Sequence, residues 1–239
     1  MASKANRRKF LRAAGLGVAA TAALQATVPA VSAESTPAAT RVKIIAISGS
    51  PRKGKTTAAA LKTALEAAKA VDPERIETEL IELADMKLNG NMAAGIPLEP
   101  GQQDDFPELA TKLAARDVGG IIIGSPVYFG SMTSLCKAFL DRCISLRMRQ
   151  FALANKVGGA VAVGAVRNGG QELTLQAIQA ALMCQEMVVV GDGRPTCHTG
   201  ATVWNSGKDD ISQDEFGMST VKNLGRRVAE VALRMAAAK

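Results

Sequence analysis

The sequence predicts an α/β fold: a doubly wound, five-stranded parallel sheet with helices on both faces. Three observations carry this. Short runs of Val, Ile and Ala alternate with longer segments of helical periodicity, and strands separated by helices pair in parallel. Four of the strand runs are continuous rather than alternating, the first broken only by Lys43, as in strands covered on both faces. The residues are 47% hydrophobic and 21% charged, which suits a globular core and excludes a disordered chain, a collagen and a coiled coil. Aromatics are only 3%, so the core is aliphatic.

The elements follow in order. Val42 to Ile47 is the first buried strand, and Thr56 to Ala70 an Ala-rich helix ended before Asp72-Pro73. Ile76 to Leu83 alternates like an edge strand. Residues 84–104, with their Gly, Pro and Asn, read as a long loop. Asp105 to Arg116 is helical and Val118 to Ile123 a buried strand. Met132, Leu135, Cys136, Phe139, Leu140 and Cys143 form a helical stripe. Val157 to Val163 and Met187 to Val190 are the remaining strands, with a helix from Gln171 to Gln185 between them. Residues 191–212 read as loop. A last helix from about Gln213 carries Val221, Leu224, Val228, Val231 and Met235 on one face. This pattern fits strand order 2-1-3-4-5, in which ligands bind beyond the carboxyl ends of the strands.

The chain has 29 basic and 22 acidic residues, but the excess is local. Lys4, Arg7, Arg8, Lys9 and Arg12 fall in residues 1–33, which hold no acid, so the charge is no footprint of nucleic-acid binding. The charged start, the soft apolar run from Ala13 to Ala26 and the exit Val31-Ser32-Ala33 have the layout of a secretory signal cleaved after Ala33. An uncleaved anchor is the alternative. The arginine pair followed by Lys9-Phe10-Leu11 resembles a twin-arginine signal, which implies export of a folded protein to the periplasm or cell envelope. Residues 34–40 read as a linker, and 41–239 as one domain with no later membrane anchor.

The first strand runs into Ser48-Gly49-Ser50-Pro51-Arg52-Lys53-Gly54-Lys55-Thr56-Thr57 and then a helix. Small residues, hydroxyls and a helix N-terminus make an anion site, and Arg52 can fork onto phosphate oxygens. Gly49 to Thr56 also satisfies G-x-x-x-x-G-K-T, the phosphate loop of nucleotide hydrolases. Those enzymes need an acid on a neighbouring strand to help hold Mg²⁺, and Val118 to Ile123 ends in Gly124-Ser125 instead, with Asp192 a poor substitute. The next strand exits into Pro126-Val127-Tyr128-Phe129-Gly130. Two adjacent aromatics in a chain this poor in them suit a flat conjugated ligand, or else plug the next helix onto the sheet.

These motifs resemble the flavodoxin-like NAD(P)H-dependent FMN reductases, particularly their iron–sulfur flavoprotein branch. Ser48 to Arg52 resembles the family's FMN-phosphate loop, and Gly124 to Gly130 with Lys137 to Arg142 its flavin-ring loop and the helix behind. Arg167-Asn168-Gly169-Gly170-Gln171-Glu172 resembles its third loop. The resemblance implies FMN held by Ser48, Ser50, Arg52, Lys55, Thr56 and Thr57 at the phosphate, by Pro126, Val127, Tyr128, Phe129 and Gly130 at the ring, and by Arg167, Asn168 and Gly169 across it. It further implies NAD(P)H as donor, a small acceptor such as a quinone or another flavin, no catalytic side chain beyond the flavin, and a homodimer or homotetramer. A nicotinamide donor and an envelope location pull against each other. A non-catalytic flavin-binding module and a P-loop nucleotide-binding protein are the rival readings.

The iron–sulfur branch carries clustered cysteines after the second strand. Here that stretch reads Lys87-Leu88-Asn89-Gly90-Asn91-Met92, and the first Cys of the chain is Cys136. A cluster needs thiolates, so none is expected, nor any other metal. Cys136 and Cys143 lie about 10 Å apart along one helix by its rise, too far to bridge, and read as core. Cys184 sits in a helical stretch. Cys197 beside His198 is the candidate reactive thiol. The single His disfavours a triad or His-based metal site and reads as a loop residue bonded to backbone, although the resemblance sets a His near the flavin.

Overall fold

A computed structural model describes residues 40–238. The leader 1–33 and residues 34–39 of the linker lie outside the described residues. The elements are β1 (Val42–Ser48), α1 (Thr56–Lys69), β2 (Ile76–Glu82), α2 (Phe106–Ala114), β3 (Val118–Pro126), α3 (Ser134–Arg142), α4 (Ile144–Met148), β4 (Val157–Gly164), α5 (Gln171–Met183), β5 (Val188–Val189), β6 (Ala201–Trp204) and α6 (Glu215–Ala237). The sheet is parallel, in order β2-β1-β3-β4-β5, with β6 also paired to β4.

Alternation along each buried strand divides the core in two. Ile45, Ile47, Ile121 and Ile123 pack with Phe106, Leu113, Phe139 and Ile178 of α2, α3 and α5. Ile44, Ala46, Ile122 and Val161 pack with Leu61, Ala64, Leu224 and Val228 of α1 and α6. Each buried Ile contributes roughly 1.5–3 kcal/mol. The two helices on the second face touch at the backbone. A Cβ on Gly225 would lie 1.9 Å from the Ala64 carbonyl oxygen, so only glycine permits that approach.

The structure corrects the reading of residues 187–212. The fifth strand position is filled in two pieces. β5 is only Val188–Val189, half-buried, and pairs with the start of β4 (Val157↔Val188). The chain then leaves the sheet at Gly191, which abuts the His198 backbone, and returns as β6 on the upper half of β4 (Val161↔Ala201 to Gly164↔Trp204). The excursion closes on the buried Asp192 carboxylate, which accepts from the Thr196 hydroxyl and the His198 N–H. Loop composition in 191–200 concealed a short strand that follows it. The exposed edge of β6 is blunted by α6: Thr202 N–H donates to Thr220 Oγ1 at 3.2 Å and Trp204 N–H to Asp214 Oδ2 at 2.7 Å.

The stretch 84–104 is likewise more ordered than a plain loop. Leu83–Asp85 and Gly90–Ala94 form 3₁₀ turns. Arg142 of α3 anchors it. Its guanidinium donates to Asp104 at 2.6 and 2.8 Å and to the Asn89 carbonyl at 3.3 Å, and stacks 4.6 Å over Phe106. The side chains of this pair are only 7% and 10% exposed. No helix among the described residues is long and apolar enough to cross a membrane.

Candidate functional site

β1, β3 and β4 end side by side, so the loops after them meet at one end of the sheet. Ser48 closes β1, is fully buried, and its hydroxyl has no hydrogen-bond partner. By strand alternation its side chain lies on the face of Ile44 and Ala46, toward α1. Gly49 N–H donates to the Gly124 carbonyl at 2.7 Å, tying the loop to β3. Ser50 Oγ accepts from Arg52 N–H and donates to Arg52 O, each at 3.1 Å. Then α1 begins at Thr56 with no side-chain cap on Lys55 and no acid in its first turn. Its first amides and positive dipole end are thus left for a ligand. Thr56 and Thr57 are buried at this end. A buried hydroxyl without a partner calls for an explanation, and a bound anion supplies the missing one. This cradle suits a phosphate.

The cations around it are already paired. Arg52 donates to both oxygens of Asp209 at 2.8 and 2.6 Å, and Lys55 lies 3.7 Å from the same carboxylate. Lys53 bonds Asp85. The bonds to Asp209 raise the pKa of Arg52 above its ordinary value, with a smaller contribution from Tyr128 across the cleft, and hold the Asp209 carboxyl below the usual range.

Thr133 knits the second loop to the first. Its Oγ1 donates to the Gly49 carbonyl at 2.5 Å and caps α3 by accepting from Cys136 N–H at 3.0 Å, while its N–H donates to Ser125 Oγ at 3.1 Å. Val127 N–H donates to the Val163 carbonyl at 2.9 Å. Tyr128 and Ser131 then close a tight turn with Phe129 at φ +51° and Gly130 at +74°. That turn has the primed geometry, which glycine and asparagine favour and a bulky side chain resists. Phe129 is fully exposed and Tyr128 about half. Neither plugs α3 onto the sheet.

Gln171 shapes the third loop. Buried, it accepts from Gly169 N–H at 2.7 Å and donates to the Val166 carbonyl at 2.8 Å. Gly170, at φ +103°, touches Gly130: a Cβ there would lie 2.7 Å from the Gly130 Cα. The structure therefore brings Ser48–Thr57, Pro126–Gly130 and Asn168–Gly170 together. The Arg167 guanidinium turns away, 5.0 Å over the Trp204 ring and 3.7 Å from Asp214. With Asn168, His198 and Phe216 it lines a cavity of about 180 Å³ beyond β6. A larger cavity, about 520 Å³, lies within the 84–104 segment, between Lys87–Gly90 and Leu98–Gln103.

His198 packs edge-on against Phe216, with Nδ1 3.5 Å from the Asp192 carboxylate. That carboxylate is committed to the 192–198 excursion, so it cannot serve a magnesium ion at the first loop. Burial pushes the Cys136 and Cys143 thiols up to about 12, whereas Cys184 and Cys197 are exposed. The described residues contain no group of three or more His, Cys, Asp or Glu placed to hold a metal. Sequence reasoning missed three contributors to the site: Thr133, Asp209 and Asn205, whose Nδ2 lies 3.5 Å from Thr56 Oγ1. Of these only Thr133 had a local cue, a hydroxyl residue ahead of a helical stripe.

Residues 42–202 match the family described as NADPH-dependent FMN reductase. An iron–sulfur flavoprotein of Methanocaldococcus jannaschii is 46% identical over 193 residues, which cover 80% of this chain and 97% of that one. A second, from Methanosarcina thermophila, is 38% identical over 194 residues, 80% of this chain and 95% of the relative. Among solved structures, a flavodoxin described as WrbA-like from Agrobacterium tumefaciens superposes with a TM-score of 0.58 at 18% identity, covering 81% of this chain and 98% of its own, a likeness of fold.

Proposed function

The chain belongs to the NADPH-dependent FMN reductase family, and on that premise we propose that it is an FMN-dependent oxidoreductase passing electrons from a reduced nicotinamide donor to a small acceptor, such as a quinone or another flavin. The observation that carries the reading is the orphaned, buried Ser48 hydroxyl at the uncapped start of α1. Bound FMN supplies the hydride and electron chemistry. The chain binds and orients it. Ser48, Ser50, Thr56, Thr57 and the first amides of α1 hold the phosphate, with Arg52 and Lys55 adding charge at the mouth. Pro126, Val127, Tyr128, Phe129 and Gly130 flank the ring, and Asn168 and Gly169 close the cleft. Arg167, drawn toward Trp204, shapes the neighbouring cavity instead.

The iron–sulfur cluster for which the relatives are named does not fit this chain. Its first Cys is Cys136, and residues 84–104 contain none. Two of its four thiols are buried and held protonated, and the other two lie on separate segments. We therefore read the flavin as working without an intramolecular relay. The leader supports export by the twin-arginine route to the periplasm or cell envelope, and N-terminal sequencing of the processed protein tests cleavage after Ala33. Exposed Phe129 and Val166, on the second and third loops, support a homodimer or homotetramer. The deciding experiment is the visible spectrum of the purified protein, the mass of any released ligand, and bleaching by NADH or NADPH. A flavin spectrum, released FMN and bleaching support the proposal. A colourless protein that takes up no FMN sinks it.

A further inference from the structure

The connection between β6 and α6 folds back over the phosphate cradle. Asn205 fixes its start. Its N–H donates to the Gly164 carbonyl at 3.0 Å, its Nδ2 lies 3.5 Å from Thr56 Oγ1, and its Oδ1 accepts from Gly207 N–H at 2.9 Å. Ser206, Gly207 and Asp209 all take positive φ, at +48°, +71° and +54°. The chain doubles back and lays the Asp209 carboxylate across the Arg52 fork, with Lys55 nearby. Two parallel N–H···O bonds to a planar anion are the contact that a guanidinium makes with a phosphate.

We propose that Asp209 is a displaceable internal anion, which holds Arg52 at the mouth of the cradle until a phosphate monoester takes its place. Displacement follows from where the two anions sit. Arg52 and Asp209 side chains are 52% and 35% exposed, and exposed ion pairs are weak. A phosphate brings up to two charges and reaches the buried hydroxyls and helix amides behind Arg52, none of which Asp209 touches. With phosphate in the cradle, the two anions repel and Asp209 swings out. The loop then acts as a selectivity device. A phosphorylated flavin releases it, and an unphosphorylated one does not. This rests on reading the cradle as the FMN-phosphate site.

The test titrates FMN and riboflavin into flavin-stripped protein, following quenching of flavin fluorescence, for wild type, Asp209→Asn, Arg52→Met and the double variant. Both side chains are exposed enough for the variants to fold. Asp209→Asn is expected to bind FMN about two- to fivefold more tightly, the competition of an exposed ion pair being removed, with riboflavin affinity unmoved. Arg52→Met weakens FMN binding, and the double variant matches Arg52→Met. Asp209→Asn that binds FMN more weakly than wild type makes the carboxylate a permanent clamp on Arg52 and overturns the proposal. Unchanged FMN affinity overturns it too while leaving the cradle intact. Absence of FMN binding in every protein, wild type included, removes the cradle reading and the latch with it.

Discussion

Gly49 lies against Cys136. A Cβ on Gly49 would fall 2.5 Å from the Cys136 Cβ and 2.9 Å from its sulfur. The first residue after β1 is thus in contact with the buried face of α3, behind the second loop. Gly49→Ala must push α3 outward or lift the loop. We expect about 1–3 kcal/mol of destabilisation and loss of retained FMN. Cys136→Gly in the Gly49→Ala background should restore the flavin. Denaturant midpoints and flavin content of the purified variants check this.

Ser48→Ala separates ligand binding from folding. The hydroxyl is buried and unpartnered, so its removal leaves the unliganded protein as stable or more stable by about 1 kcal/mol. A hydrogen bond to a charged phosphate is lost, so FMN affinity should fall roughly tenfold or more. Thermal melts of stripped protein and FMN titration make the comparison. Equal losses in both would mean the hydroxyl serves the fold alone.

Asp104→Asn should be far more damaging. Arg142 would keep its buried charge and lose its partner, and breaking such a pair costs about 3–5 kcal/mol. The same pair sets an acid limit. Arg142 holds the Asp104 carboxyl below its ordinary value. A depressed folded-state pKa gives stability that is present above the unfolded value and lost as pH falls through the folded one. Wild type should therefore lose stability below about pH 4, and Asp104→Asn should show a smaller acid loss. Urea unfolding at neutral pH and near pH 3 measures both.

The strand order and the three loops at the strand ends were legible because they rest on local signals. Continuous apolar runs mark buried strands, and Gly, Ser and Pro clusters mark the turns between them. β6 was not, because four residues after a ten-residue excursion carry no period long enough to read, and only pairing with Val161–Gly164 makes them a strand. Asp209 was invisible for another reason. Its partner Arg52 lies 157 positions away, and nothing local in Gly207-Lys208-Asp209-Asp210 specifies that contact. The heading of Arg167 was not legible either, since Trp204 and Asp214, which its guanidinium faces, sit on the unrecognised strand and the turn after it.

Purified protein should contain no stoichiometric iron or acid-labile sulfide. Cys136 and Cys143 are closed off in the core, leaving two exposed thiols where a four-thiolate cluster needs four. Metal analysis and the shape of the visible spectrum decide. A broad absorbance tail beyond the flavin bands, with iron and sulfide to match, would contradict this reading.

Phe129 presents the sharpest conflict between stability and function. Its backbone is at φ +51°, in a turn that disfavours a bulky side chain, and its ring is fully exposed. Such strain, about 1–3 kcal/mol, persists where the surroundings hold it, and here Gly130 against Gly170 and the Tyr128–Ser131 pairing do so. With no burial to lose, Phe129→Gly should relax the turn and raise the melting temperature of stripped protein. If the ring serves the flavin or a second subunit, the variant should also lose FMN affinity or shift to a smaller species on a sizing column. A stabilised variant with unchanged flavin affinity and unchanged size would show that the strain serves neither.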